Sequence, residues 1–556
     1  MGRGVAAGPF GFILRRQSLV RLAEWKTARL SRLINLSGLV ANPGVMATQS
    51  IAIALVSATV AIPFASILAL SVSAWAAPIA VAPLVLFFLP ELRLRDKVAQ
   101  RQEDAERELP FFSVVVNVLA GAGIPLYSIF QDLASSHIFE AMRREAQLVR
   151  RDVMIFGMNP QESLERLASC HPSGRFADFI LGYTSKVRSG GDVVLYLSGE
   201  SGSLLRSLED GWVRYVSGVG MVGSMMITAF GVVPLLLTVV GIFSPGSSLF
   251  GLALFTGVGL PLVTIGLLYL AGRMQPIREG PVHGNATGSI LLAIPGALAG
   301  MLVGGAWVSV GGALLVFFLS YGCSVRAQIT ESKDIENGIT RFLKDVLEYR
   351  RQDYDLTRAV LATQVSSKYN RRFSRLLAQV ASQLKAGVPL DEVKIECQSS
   401  LGRLVFLLLG EMSKSGGGTV DTVHQVSSFA DRMTEMKRNA IAEMKPYTVL
   451  SYASPLLLAF GTAFVGGLLS SLNDSARPLV AGIHPSFGLA APLLGPLTQV
   501  SDLLVVVSAA SLGLISAKIT EFTVRNTMKA GVNVAIAIAA VSALAVFGSN
   551  SLTRLI

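Results

Sequence analysis

Long uncharged apolar blocks, separated by two long charged stretches, dominate this sequence. Of its 556 residues, 51% are hydrophobic and only 15% are charged, whereas about a quarter of the residues of a soluble protein are charged. Most blocks approach the ~20 apolar residues that a helix needs to cross a bilayer. The pattern therefore predicts membrane spans that alternate with water-exposed domains.

About nine spans are expected, and together they predict a polytopic membrane protein. A turn at Ser244-Pro245-Gly246 separates the third span from the fourth, and Gly304-Gly305 breaks the fifth and sixth into a tight hairpin. The predicted spans are roughly residues 50–70, 72–90, 217–243, 248–271, 288–304, 305–322, 447–471, 499–517 and 530–550.

Positive charge predicts the orientation of these spans. With the N-terminus inside, 46 of the 48 Lys and Arg residues fall in inside segments, and only Arg477 and Arg554 fall outside. Positively charged loops stay on the cytoplasmic side of a membrane. We therefore expect a cytoplasmic N-terminus and an external C-terminus, in the cytoplasmic membrane.

The spans divide the chain into six regions. A basic leader is followed by a hairpin of spans, a first inside domain, four spans, a second inside domain and three spans, at residues 1–49, 50–90, 91–216, 217–322, 323–446 and 447–556. The leader from Leu19 to Leu36 alternates basic and apolar residues. It suits either an interfacial helix on an anionic leaflet or a basic stop signal that fixes the topology.

The two inside domains share a pattern of helix breaks. The segment from Gly157 to Leu164 parallels the one that starts at Gly387, and Lys186 to Gly191 parallels Lys414 to Gly417, with offsets of 226 to 230 residues. Apolar residues recur at intervals of three and four, which indicates helices. Asn159-Pro160-Gln161-Glu162 has the composition of a helix start. We therefore predict an all-α protein with two cytoplasmic helical bundles.

No catalytic, cofactor-binding or metal-binding motif is present in the sequence. The Gly416-Gly417-Gly418-Thr419 run lacks the lysine of a phosphate-binding loop. The three cysteines are far apart and form no CxxC pair. Span cores carry no Lys, Arg, Asp, Glu or His, and Asp502 lies only at the edge of the eighth span. Transporters normally keep such residues inside their helices, so we expect neither an enzyme nor an ion-coupled pump.

Short motifs in both inside domains resemble the type II secretion F-domain family. They are Glu108-Leu109-Pro110-Phe111-Phe112, Gly121 to Leu126, Asn159 to Leu164, Ser189 to Asp192, Leu384 to Leu390 and Ser413 to Gly418. Members of this family are inner-membrane platform proteins of type II secretion systems, type IV pili, tight-adherence pili and the archaellum. Two domains with about nine spans are most similar to the archaeal branch. The second domain departs from the pattern, because Ile339 to Leu343 contains no proline, and this leaves its start open.

The resemblance implies a non-enzymatic platform that couples a cytoplasmic secretion ATPase to filament assembly. Its expected partners are a hexameric secretion ATPase, pilin or archaellin subunits and membrane lipids; a second copy of the chain in a homodimer is also compatible, and no nucleic acid is expected. An alternative from another class is a solute transporter or permease, since transporters also use internal repeats.

Basic residues of the inside domains are the candidate binding surface for the ATPase. The second domain has a net charge of +4 and the first has −2. Positions 371, 372 and 375 share little more than one helical turn, so they could form one patch. The alternative is a solvated face or a face held against anionic lipid. The candidates are Arg371, Arg372, Arg375, Lys385 and Lys414, with a weaker counterpart in Arg143, Arg144, Arg150 and Arg151.

Overall fold

The regular secondary structure of the described part of the chain is helical. The computed structural model describes residues 17–39, 41–71, 82–135, 139–243, 245–276, 284–366, 368–395, 397–414, 416, 419–480 and 491–551, and none of them forms a β-strand. This confirms the predicted class of an all-α polytopic membrane protein. The chain divides into two compact units, Met1–Leu205 and Arg206–Ile556.

The first unit contains the leader, the two helices at the predicted first hairpin of spans and most of the first bundle. Its helices are α1 Gln17–Ser37, α2 Pro43–Ser71, α3 Ala82–Gly121, α4 Leu126–Ser135, α5 Glu140–Met154, α6 Pro160–Ser169, α7 Gly174–Ser189 and the beginning of α8 Val193–Ile227.

Helix ends in the first bundle follow local sequence chemistry. The Asn159 side chain accepts a hydrogen bond from the backbone N–H of Gln161 and so caps α6, with Pro160 at the first position. Ser173 caps α7 in the same way, and Gly190 ends it with a φ of 67°, a conformation that glycine adopts without strain. The helix start predicted at Asn159 is therefore confirmed.

The leader helix α1 packs on protein through its apolar face. Leu30 and Ile34 are buried in one cluster with Ala47 of α2 and Leu94 of α3. Leu22 and Trp25 remain 38% and 49% exposed. An interfacial role of α1 stays a prediction, and it concerns only the exposed residues Leu22 and Trp25.

The second unit contains the remaining helices. They are α9 Val233–Phe243, α10 Pro245–Leu254, α11 Leu260–Met274, α12 Ala286–Gly304, α13 Ala306–Arg351, α14 Leu356–Ser366, α15 Arg371–Lys385, α16 Ser400–Lys414, α17 Val420–Val480, α18 Ala491–Glu521 and α19 Met528–Ser551. Two short π-helical turns, Thr228–Val232 and Phe255–Gly259, precede α9 and α11.

The second bundle repeats most of the helix order of the first. Helices α4 and α14 begin 230 residues apart, at Leu126 and Leu356, and α8 and α17 begin 227 residues apart, at Val193 and Val420. The segment opposite α6 is an exception, because its described residues 386–395 form turns and irregular backbone rather than a helix. The Gln383 amide donates to the carbonyl O of Lys394 and accepts from its N–H, both at 3.0 Å. The domain boundaries drawn from the sequence stay a prediction.

Six helical segments of the described residues are long and apolar enough to cross a membrane. They are Val193–Val240, Phe250–Met274, Ala306–Arg351, Val420–Gly467, Pro496–Glu521 and Met528–Ala545. Pro43–Thr59 and Ala286–Leu302 are shorter apolar helices at the predicted first and fifth spans. The predicted second span falls largely on residues 72–81, outside the described part. The count of nine spans stays a prediction.

The predicted hairpin of the fifth and sixth spans is confirmed as a close helix pair. Gly305, with a φ of 88°, joins α12 to α13. Gly296 and Gly300 form a GxxxG pair on α12, and a Cβ atom at Gly300 would lie 2.4 Å from the carbonyl O of Val308. Small residues let two helix backbones approach this closely inside a membrane.

Candidate functional site

Two long helical segments lead from the charged bundles into apolar spans. Val193–Val240 and Val420–Gly467 each contain 48 residues, or roughly 70 Å of helix. The first includes the π-helical turn Thr228–Val232 shortly before Pro234, and the second includes Pro446. Both features allow a local bend.

An ion pair and a hydrogen bond join α17 to α13 in the second bundle. Lys437 Nζ lies 3.0 Å from a carboxylate oxygen of Glu336, and both side chains are largely buried. Arg438 donates to the side-chain oxygen of Asn337 at 3.4 Å.

A buried charge cluster organises the first bundle. Both carboxylate oxygens of Glu145 accept hydrogen bonds from the Arg101 guanidinium, at 2.8 and 2.5 Å. Arg101 also donates to the carbonyl O of Leu36, at the end of α1. His171 Nε2 lies 3.6 Å from Glu145, while its Nδ1 accepts from the Ser173 N–H. One cluster therefore joins α1, α3, α5 and the α6–α7 loop.

The electrostatics of this cluster favour an ionised Glu145. Burial alone would raise the pKa of Glu145, but the hydrogen bonds and the charge of Arg101 outweigh burial and hold that pKa below its usual 4.5. Glu108 lies in a different setting, because burial raises its pKa even though it accepts from the N–H groups of Ala141 and Met142.

The arginines predicted to form one patch in the second domain differ in their surroundings. Arg372 donates to the carbonyl O of Ala327 at 3.1 Å and lies 3.7 Å from the Asp334 carboxylate. Arg371 and Arg375 are exposed and, among the described residues, have no ion-pair partner. Arg372 thus holds α15 to α13, and only the other two arginines remain open to a partner.

Lys385 and Lys414 are both exposed. Lys414 follows Ser413, whose hydroxyl lies 3.5 Å from that of Thr357. Thr357 is in α14, just beyond the end of α13. Arg372 contacts Ala327, which is about 35 Å from that end along α13. Lys385 Nζ donates to Gln364 at 3.5 Å. The structure therefore does not bring all five predicted residues onto one surface.

The predicted arginines of the first domain all lie on α5. Arg143 is partly buried, Arg144 pairs with Glu140 at 2.8 Å, Arg150 is exposed and Arg151 pairs with Asp152 at 2.8 Å. These contacts leave Arg150 as the most available of the four. The partner-binding role of both sets stays a prediction.

The end of α5 carries a cluster of exposed apolar residues that was not among the candidates from the sequence. Met154, Ile155 and Phe156 are 64%, 72% and 61% exposed, and we call them the apolar tip. The signal was present in the sequence as three consecutive apolar residues between a charged helix and Gly157. Among the residues described, no group of three or more His, Cys, Asp or Glu side chains could hold a metal.

Comparison with known proteins finds a family resemblance in part of the chain. Residues 112–241 match the family described as type II secretion system (T2SS), protein F. This segment is therefore similar to an F domain of type II secretion systems. The matched F domain runs from the second half of α3 through α9, so it covers the first bundle and the span after it.

A relative of this chain comes from an archaeon. An uncharacterized protein of Methanocaldococcus jannaschii is 21% identical over 436 residues, which are 70% of this chain and 72% of that protein. No solved structure matches the chain. Membership of the second bundle in the F-domain family stays a prediction, supported by its repeated helix order.

Proposed function

We propose that this protein is the non-enzymatic membrane platform of a type IV filament or of a type II secretion-like machine. The observation that carries the proposal is the pair of long helical segments, one per bundle, that lead from a charged bundle into a stretch long and apolar enough to cross a membrane. A cytoplasmic secretion ATPase would push on the bundles, and the segments would pass the motion to pilin or archaellin subunits. The relative in an archaeon supports the archaeal branch.

We place the ATPase contact on the second bundle, at Arg371 and Arg375. Both are exposed and neither is used inside the bundle, so their charge is free to attract an acidic surface. Complementary charge mainly sets the association rate and makes it sensitive to salt. Arg372 is left out of the test, because its contacts to Ala327 and Asp334 support the bundle itself.

The test is binding of the full chain, in nanodiscs, to a secretion ATPase from the same organism. We expect Arg371→Glu with Arg375→Glu to weaken binding at physiological salt and to abolish filaments, while membrane insertion is kept. Arg341→Glu with Arg358→Glu is the matched control, since both are exposed arginines of the same domain and the charge change is equal.

Equal binding by the two double variants would remove Arg371 and Arg375 from the contact. Failure of the unchanged protein to bind any secretion ATPase, combined with solute flux in proteoliposomes, would replace the platform function with transport.

A further inference from the structure

The register of α5 against α3 determines where the apolar tip lies. Glu108 of α3 accepts hydrogen bonds from the N–H groups of Ala141 and Met142, at the beginning of α5. Arg101, earlier on α3, pairs with Glu145, later on α5. The two helices are therefore antiparallel, and α5 runs back toward the membrane end of α3.

Extending that register brings the apolar tip to the membrane boundary. Ile155 follows Glu145 by ten residues, and Glu91 precedes Arg101 by ten, which is about 15 Å along each helix. Glu91 is the first charged residue of α3 and follows the predicted end of the second span directly. The apolar tip is thus level with the end of the second span predicted from the sequence.

Helix α2 gives the same boundary independently. Ala47 of α2 and Leu94 of α3 are buried in one cluster. On α2, Ser50 lies three residues beyond Ala47 toward the membrane, and the first span is predicted to begin there. On α3, Glu91 lies three residues from Leu94 in the direction of the membrane. The two helices of the hairpin therefore agree on the height of the bilayer surface.

The surroundings of the apolar tip suit an anionic bilayer surface. The Arg151 guanidinium lies 5.7 Å from the centre of the Phe156 ring, and Arg150 is exposed. Arg166 contacts the sulfur of Met158 and keeps a 53% exposed side chain. Apolar side chains with basic neighbours insert among acyl chains while their cations meet lipid phosphates.

We propose that Met154, Ile155 and Phe156 insert into the cytoplasmic leaflet and that Arg150, Arg151 and Arg166 bind anionic lipid headgroups. This contact anchors the first bundle to the membrane beside its own spans. The helix at the corresponding position of the second bundle, α15, ends in Lys385-Ala386-Gly387 without an apolar triplet.

The test is the depth of a spin label in proteoliposomes that contain an anionic phospholipid. Ile155→Cys is labelled in the full chain after Cys170, Cys323 and Cys397 are replaced by serine, and collisions with oxygen and with a water-soluble nickel chelate are measured. The control label is at Ala122, just beyond the other end of α3 and roughly 45 Å along that helix from Glu91.

We expect the ratio of oxygen to nickel accessibility to be several-fold higher at Ile155 than at Ala122. Met154→Cys should give the same result, which guards against a local disturbance at one position. Omitting the anionic lipid should lower the ratio at both positions of the apolar tip. Equal ratios at Ile155 and Ala122 would overturn the proposal, as would protection of Ile155 that arises only when a soluble protein partner is added.

Discussion

Arg101 shows how much of the first bundle depends on a single side chain. Its guanidinium contacts both oxygens of Glu145 and the carbonyl O of Leu36, so it joins three helices. The sequence could not predict this pair, because the two residues are 44 positions apart in a segment whose many charges suggest a solvated surface. Only the tertiary structure reveals which charges of α3 are buried.

Replacing Glu145 by glutamine should destabilise the first bundle strongly. The change leaves Arg101 buried without its counter-charge, and breaking a buried pair in this way costs about 3–5 kcal/mol. Glu140→Gln on the same helix is the control: Glu140 and its partner Arg144 are 68% and 58% exposed, and such pairs contribute less than about 1 kcal/mol. Hydrogen exchange of α5 measures both; similar protection in the two variants would contradict a structural role for Glu145.

The contribution of Glu145 should disappear in acid. Its pKa in the folded protein is held below 4.5, so the unfolded chain binds the proton first as the pH falls. The stabilisation is therefore full above about pH 4.5 and is lost as the pH drops through the lower folded value. The thermal midpoints of the unchanged protein and of Glu145→Gln should differ most at neutral pH and converge in acid. A difference that grows in acid would contradict this sign.

At the scale of helices, the sequence predicts where helices begin and end more accurately than it predicts their tertiary contacts. Asn159-Pro160 starts α6 and Gly190 ends α7 as the sequence indicates, because caps and positive φ depend on neighbouring residues only. The missing counterpart of α6 could not be predicted, since it depends on the Gln383 side chain reaching Lys394, eleven residues further on. The position of the apolar tip likewise depends on the register between α3 and α5.

Gly300→Ala should loosen the hairpin of α12 and α13. The added methyl group would lie 2.4 Å from the Val308 carbonyl O, and the helices would have to separate, at a cost of about 1–3 kcal/mol. Gly266→Ala in α11 is the control, since no atom lies within 4 Å of a Cβ there. The thermal midpoint in detergent should fall for the first variant only. An equal change of the thermal midpoint in the two variants would show that helix propensity, rather than close packing, determines the effect of Gly300→Ala.

At the scale of the whole molecule, the side of the membrane on which the second bundle lies depends on whether α12 crosses the bilayer. Helix α13 is long and apolar enough to cross the membrane, and it continues directly into that bundle. Helix α12 therefore decides on which side the bundle lies: if α12 did not cross, the bundle and its net charge of +4 would be outside. Inside placement of positive charge requires that α12 crosses as well.

Reporters on either side of α12 and α13 test that step. The 19 residues of α12 give about 28 Å of helix, close to the ~30 Å hydrocarbon core, so we expect it to cross. Reporters fused after Arg278 and after Arg326 should then both be cytoplasmic, as should those after Arg93 and Lys518, while fusions after Ser247 and Asp474 should be external.

The fusion after Arg326 discriminates most sharply, because its side changes if α12 stays at the surface while the side of Arg278 does not. An external reporter at Arg326 together with a cytoplasmic one at Arg278 would show that α12 does not span. The Arg371 and Arg375 surface would then be out of reach of any cytoplasmic ATPase, and the platform proposal would lose its point of contact.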